Sequence, residues 1–143
     1  MIDVKMISKT GIKPIYATED SAGIDLPAHI DVTIDIPPFN RRLIPTGLHM
    51  AIPKGYVGLV CPRSGLAIKK GLTVLNAPGI LDADFRGEVG VILINLSNEV
   101  QSINPGDRIA QLVISKYEKA NFQLTNSLDE TERGSGGFGS TGA

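Results

Sequence analysis

Between residues 30 and 36 the chain reads IDVTIDI, with Ile30, Val32, Ile34 and Ile36 on one side of a two-residue period and Asp31, Thr33 and Asp35 on the other. That alternation predicts a strand with one face buried. Four further runs, LHMAI (48–52), YVGLVC (56–61), VGVILINL (89–96) and RIAQLVIS (108–115), are β-rich and predict more deeply buried strands. Glycines and prolines interrupt the chain every eight to twelve residues, among them Pro45, Gly47, Pro53, Gly55, Pro78-Gly79 and Pro105-Gly106. Such spacing leaves room for short strands and hardly any for a long helix. One short helix fits SGLAIKKG, with Ser64 as its N-cap and Gly71 as its stop. The pattern predicts an all-β fold: an antiparallel sandwich, jelly roll or barrel.

Composition narrows this to one domain. The chain has 143 residues, 42% hydrophobic and 20% charged, as in an ordinary globular protein. Only the end departs from it. RGSGGFGSTGA (133–143) holds five glycines around one phenylalanine. It reads either as a disordered tail or as an arm that becomes ordered around a ligand. A net charge of −1 supplies no global field, so neither nucleic acid nor a membrane is an expected partner. The N-terminus lacks the apolar stretch of a signal peptide and no segment reaches spanning length, so a cytoplasmic location is expected. The single cysteine, Cys61, excludes an internal disulfide, and its apolar run suggests a buried, inert thiol.

Candidate chemistry gathers at the turns. Four of six arginines touch glycine-bearing turns: PRSG (62–65), DFRG (84–87), GDR (106–108) and RGSGG (133–137). Arginine offers a planar fork to phosphate oxygens, and glycine lets backbone amides approach a ligand. Each site alone is ordinary strand-end composition; together they favour an anion site. In PRSGLA, Ser64 at a helix start is either an anion contact or a plain cap. In NAPGILDADFRGEVGV (76–91), a hairpin-like excursion carries Asp82 and Asp84 two residues apart, on one face at strand spacing. One could act as a general base, or both could serve local turns. Asn76, Ile80, Leu81 and Phe85 around them suit a small aromatic ligand. Gln111 shares a face with Ile109 and Val113 and needs a partner, structural or ligand. Asp107 and Arg108 suggest an ion pair or turn contact, and Asp25 in SAGIDLPA suits either a hard cation through water or a turn cap. His29 and His49 lack metal or nucleophile spacing.

Five segments in order, AGIDLPA, PRSGLA, GILDADFRG, GDRIAQLV and RGSGGFGSTG, resemble the trimeric dUTP diphosphatase (dUTPase) family over residues 20 to 143. The resemblance implies a jelly-roll-like domain over 1–132, with at most one short helix, and an arm at 133–143 closing over the active site. It implies a homotrimer with shared sites that hydrolyses dUTP to dUMP and diphosphate with Mg2+. By the same resemblance Asp82 is the general base and Asp25 steadies the magnesium hydration shell. Arg63, Ser64, Gly65 and Gln111 contact phosphates, while Asn76, Gly79, Ile80 and Leu81 read uracil. Phe85 packs on the deoxyribose. Arg133 grips the γ-phosphate and Phe138 stacks on uracil, with Gly139 and Ser140 beside it in the donated arm.

Two positions depart from the family pattern. Leu81 replaces the usual isoleucine, a mild change, and Phe85 replaces tyrosine, keeping the ring but losing the phenol hydrogen bond. Retained activity with looser catalysis or looser sugar discrimination is the expectation. Competing readings are a dCTP deaminase of the same fold, a non-catalytic nucleotide-binding regulator, and a structural β module with a disordered tail. The intact Asp82 and complete glycine-rich segment favour the diphosphatase.

Overall fold

Each apolar run becomes a strand in the computed structural model, which describes residues 2–139. In chain order the elements are β1 (Lys5–Ser8), β2 (Gly23–Pro27), β3 (Ile34–Ile36), β4 (Arg41–Ala51), β5 (Tyr56–Cys61), α1 (Ser64–Lys70), β6 (Leu72–Val74), β7 (Gly79–Leu81), β8 (Glu88–Asn95), β9 (Gln101–Ile103) and β10 (Arg108–Lys116). They form two four-stranded antiparallel sheets, β1-β4-β8-β6 and β2-β10-β5-β7, with β3 and β9 paired separately. The all-β, jelly-roll-like fold with one short helix is the one expected. Leu26, Ile36, Ile44, Leu72, Val91, Leu93, Ile103 and Ile109 fill the core, all but free of solvent. Among the described residues no helix is long and apolar enough to cross a membrane.

Three local expectations change. The strand expected over 30–36 begins only at Ile34, and Val32 is exposed. Its partner β9 offers only Gln101–Ile103, so the ladder cannot extend further back. Pro45 and Gly47 do not break the chain but lie within β4, where its register against β8 shifts between Pro45 and His49. Ser64 is the first helical residue; the N-cap is Arg63, which makes no side-chain cap bond. Gly71 stops the helix in the left-handed conformation, as expected.

Among the described residues every buried side-chain polar atom has a hydrogen-bond partner. Asn95, fully enclosed, donates through Nδ2 to the carbonyls of Ile36 (2.8 Å) and Glu99 (2.7 Å) and accepts from the Ser97 amide and hydroxyl. The β4 irregularity has its own brace. Glu88 accepts from the Gly47 amide at 2.8 Å and from Lys9 Nζ at 2.6 Å.

The Lys9 bond, with help from the Gly47 amide and against a smaller cost of burial, holds the Glu88 carboxyl below its ordinary pKa. A lowered folded pKa contributes stability that is present at neutral pH and lost as pH falls through that value. Because Lys9 is half exposed, the brace should be worth no more than about 1 kcal/mol. Glu88→Gln is therefore expected to be less stable than wild type near pH 7, with the gap closing in urea titrations as pH falls through the lowered Glu88 pKa. A gap that does not change with pH would contradict the brace.

Candidate functional site

Strand β10 sets the site because it pairs with β2 on one side and β5 on the other. A register shift between Arg108 and Ala110 sets Arg108 opposite Pro27 and Ala110 opposite Leu26. Ile109 is therefore the extra residue of a bulge. Its consequence is concrete. Ile109 and Ala110 are both buried, while Arg108 turns to the face that carries Asp25 and Gln111. Gln111 consequently shares its face with Val113 but not with Ile109, contrary to the simple alternation.

On that face lies a cleft of about 560 Å³ lined by Ser21, Gly23, Asp25, Cys61, Arg63, Ser64, Gly65, Arg108, Gln111 and Val113. Asp25 accepts from Arg63 Nε on Oδ1 at 2.8 Å and from Arg108 Nη1 on Oδ2 at 3.1 Å. Arg63 Nη1 also donates to the Arg108 carbonyl at 3.2 Å. Gln111 Nε2 donates to the Pro62 carbonyl at 2.9 Å, fixing the residue before Arg63. A Cβ at Gly23 would stand 2.4 Å from Gln111 Oε1, so glycine there makes room for the amide. Arg63 takes the cap position of α1 yet sends its side chain to Asp25, and the Ser64 hydroxyl at the first helical position makes no hydrogen bond among the described residues.

Of the two readings of Asp107, the turn contact holds and the ion pair with Arg108 does not: its Oδ2 accepts from the Asn104 amide at 2.8 Å, while Arg108 reaches Asp25. Other expectations are corrected here. Cys61 is half-buried and lines the cleft, since β5 ends there, rather than being enclosed in the core. The excursion after Asn76 is not a hairpin closed on itself: β7 pairs with β5. Past Leu81 the chain turns, with the Phe85 amide donating to the Asp82 carbonyl at 3.1 Å, so Asp82 and Asp84 do not share a strand face.

The single chain does not gather every candidate. Asp25, Arg63, Ser64, Gly65 and Gln111 meet in the cleft, whereas Asn76, Ile80, Leu81, Asp82 and Phe85 do not line it. Leu81 sits opposite Gly58, three residues or about 10 Å along β5 from Cys61. The Asp82 side chain is exposed and makes no hydrogen bond among the described residues. Gly79 is buried against Val60, with Asn76 Nδ2 beside it. Beyond Lys116 the described chain forms no helix or strand. There Arg133 Nε donates to the Gly136 carbonyl at 2.8 Å, and Phe138 is fully exposed next to Gly139. Ser140 lies outside the described residues. Sequence reasoning missed the joint role of Arg108 and the placement of Cys61; the bulge behind the first leaves no mark in a two-residue pattern.

An apolar groove of about 620 Å³, lined by Ile12, Pro14, Ile15, Ile30 and Leu48, adjoins the cleft at Asp25 and Arg108. Its walls suit hydrocarbon, so the polar cleft is the better match for an anion. Fold and cleft together define an antiparallel β domain with one polar, arginine-lined cleft. The dUTPase family model matches residues 9–142, and the chain belongs to the dUTPase family. It is 51% identical to the deoxyuridine 5'-triphosphate nucleotidohydrolase of Fusobacterium nucleatum over 99% of this chain and 97% of that one. Identity reaches 56% with the enzyme of that name from Desulfotalea psychrophila, over 90% and 86% of the two chains. Among solved structures, a glycine-to-serine variant of the Staphylococcus bacteriophage 80alpha dUTPase with dUpNHpp superposes over all of both chains, with TM-score 0.87 and 26% identity. A tyrosine-to-phenylalanine variant of the same phage enzyme with dUpNHpp gives TM-score 0.81 and 28% identity, over 99% and 98%.

Proposed function

We infer that this protein hydrolyses dUTP to dUMP and diphosphate, removing a DNA precursor that carries uracil and supplying dUMP. One observation carries the reading. Two arginines, one carboxylate, a free serine hydroxyl and an amide line one polar cleft, in a chain half identical to enzymes named for this substrate. We further propose a cytoplasmic location, suited to an enzyme of the free nucleotide pool.

In the proposed mechanism Arg63 and Gln111 hold phosphate oxygens, and the Ser64 hydroxyl lies near the bond to be broken. The exposed, unpartnered Asp82 takes a proton from a water that attacks the α-phosphorus in line. The bond from that phosphorus to its bridging oxygen breaks, and diphosphate leaves. Asn76 and the β7 backbone from Gly79 through Ile80 and Leu81 to Asp82 read uracil, and the Phe85 ring packs on the sugar. Among the described residues no three His, Cys, Asp or Glu side chains cluster as metal ligands. Among the described residues Asp25 is the only acidic side chain lining the cleft, and its two oxygens keep lone pairs free for water beside the two arginine bonds. That donor set fits a magnesium ion carried by the triphosphate and touched through water. Bound there, the ion would neutralise charge building on the phosphate oxygens.

The site would be completed by other copies of the chain. Asp82 and Phe85 stand off the cleft, and Leu43, Pro45, Ile92 and Ile94 give the β1-β4-β8-β6 sheet an outward apolar face, Leu43 being 67% exposed. A homotrimer that buries this face can bring one chain's Asp82 to another's Arg63. In that assembly, with 1–132 as the body and 133–143 as an arm, Arg133 would meet the γ-phosphate and Phe138 would cover the base, with Gly139 and Ser140 beside it. The ordering entropy of the glycines is then met only with nucleotide in place.

Three outcomes check this reading. Asp82→Asn is expected to lower kcat at least about 1,000-fold in diphosphate release while dUpNHpp still binds; unchanged turnover would contradict the assigned base. Removing residues 133–143 should leave melting and assembly unaltered and cost about 100-fold in kcat/KM; full activity would make the tail dispensable. Phe85→Tyr should sharpen the preference for dUTP over UTP by about tenfold, and an equal preference would remove Phe85 from sugar discrimination.

A further inference from the structure

We infer that Arg108, which has no place in the mechanism above, is a positioning residue for the triphosphate: it holds Asp25, and Asp25 in turn holds Arg63. The inference rests on the dUTP reading of the same cleft.

Three hydrogen bonds make a closed loop. Arg108 Nη1 donates to Asp25 Oδ2, Arg63 Nε donates to Asp25 Oδ1, and Arg63 Nη1 returns to the Arg108 carbonyl. The loop ties the middle of β2, the start of β10 and the residue leading into α1. It forms because the Ile109 bulge turns Arg108 onto the Asp25 face; regular pairing would aim it at the opposite side. Such pairs add little stability when exposed, and the Arg108 side chain is 62% exposed. Its effect is therefore on orientation.

The chemistry of a fork and a carboxylate says what is oriented. A guanidinium has five N–H donors, and Arg63 uses two of them in the loop, which leaves three for a ligand. With Oδ2 vacant, Asp25 would accept a second Arg63 donor in the favoured bidentate geometry. Arg63 would then turn its Nη2 edge to the carboxylate and away from phosphate. Arg108 competes against that arrangement by donating to Oδ2 first and holding the carboxylate turned toward both arginines, while each oxygen keeps a lone pair for water. It also leaves the loop with one net positive charge facing the cleft.

The test uses the full-length protein carrying Arg108→Gln, Arg108→Lys, Asp25→Asn, or Arg108→Gln with Asp25→Asn. Arg108→Gln is expected to raise KM for dUTP and Kd for dUpNHpp and inorganic triphosphate about tenfold, with kcat reduced less. Deoxyuridine binding and Tm should be unchanged. Arg108→Lys, which still donates to Asp25, should recover to within about threefold of wild type. In the Asp25→Asn background, Arg108→Gln should cost less than about twofold, since Arg108 acts through Asp25. An undiminished cost in that background would mean that Arg108 touches phosphate itself and would overturn the inference. So would an equal loss of deoxyuridine binding, which marks a general structural role, or wild-type affinities in Arg108→Gln. If wild type does not turn over dUTP, the functional reading fails, and the inorganic triphosphate series still decides the role of Arg108.

Discussion

β10 runs between β2 and β5, and within it the extra residue at Ile109 decides which side chains face solvent on either side. Before the bulge, Arg108 faces the cleft; after it, Gln111 does, while Ile109, Ala110 and Leu112 stay in the core. A core requirement and a site requirement are met in four consecutive residues. Remove the bulge and either Arg108 leaves Asp25 or Ile109 leaves the core. The loop of Arg63, Asp25 and Arg108 follows from this register, as does the Gln111 bond that pins Pro62.

Much of this architecture was legible from residue patterns because it depends on burial. YVGLVC is β5 from end to end, and RIAQLVIS and VGVILINL each lie within a residue of a strand. Patterns failed where partners decide the outcome. Val32 alternates correctly but has no strand beside it. Pro45 and Gly47, read as breakers, are absorbed by a register shift that Glu88 and Lys9 brace. Asn95 looked like one more residue of an apolar strand, yet it joins four polar groups in the core.

The site was legible in its members and not in its wiring. Asp25, Arg63, Ser64, Gly65 and Gln111 were all singled out, and they meet. That Asp25 is shared by two arginines depends on a bulge, and bulges are set by packing on both faces of a sheet. Asp107 and Arg108, adjacent in sequence, have separate partners for the same reason. Asp82, Asn76 and Phe85 raise a different issue. They stand on the far side of β5 from the cleft, and the role proposed for them beside Arg63 would need other copies of the chain, which periodicity in one sequence does not encode.

In the proposed mechanism, what unites cleft, base and arm is that the protein supplies positions and charge and no covalent nucleophile. Phosphoryl transfer from a nucleotide needs little else when water is aimed at the right phosphorus. The most direct test is therefore the fate of the oxygen. With wild-type protein turning over dUTP in heavy-oxygen water, 31P NMR should find the label in dUMP and none in diphosphate, as attack at the α-phosphorus requires. Label in diphosphate, or release of inorganic phosphate in its place, would contradict the account.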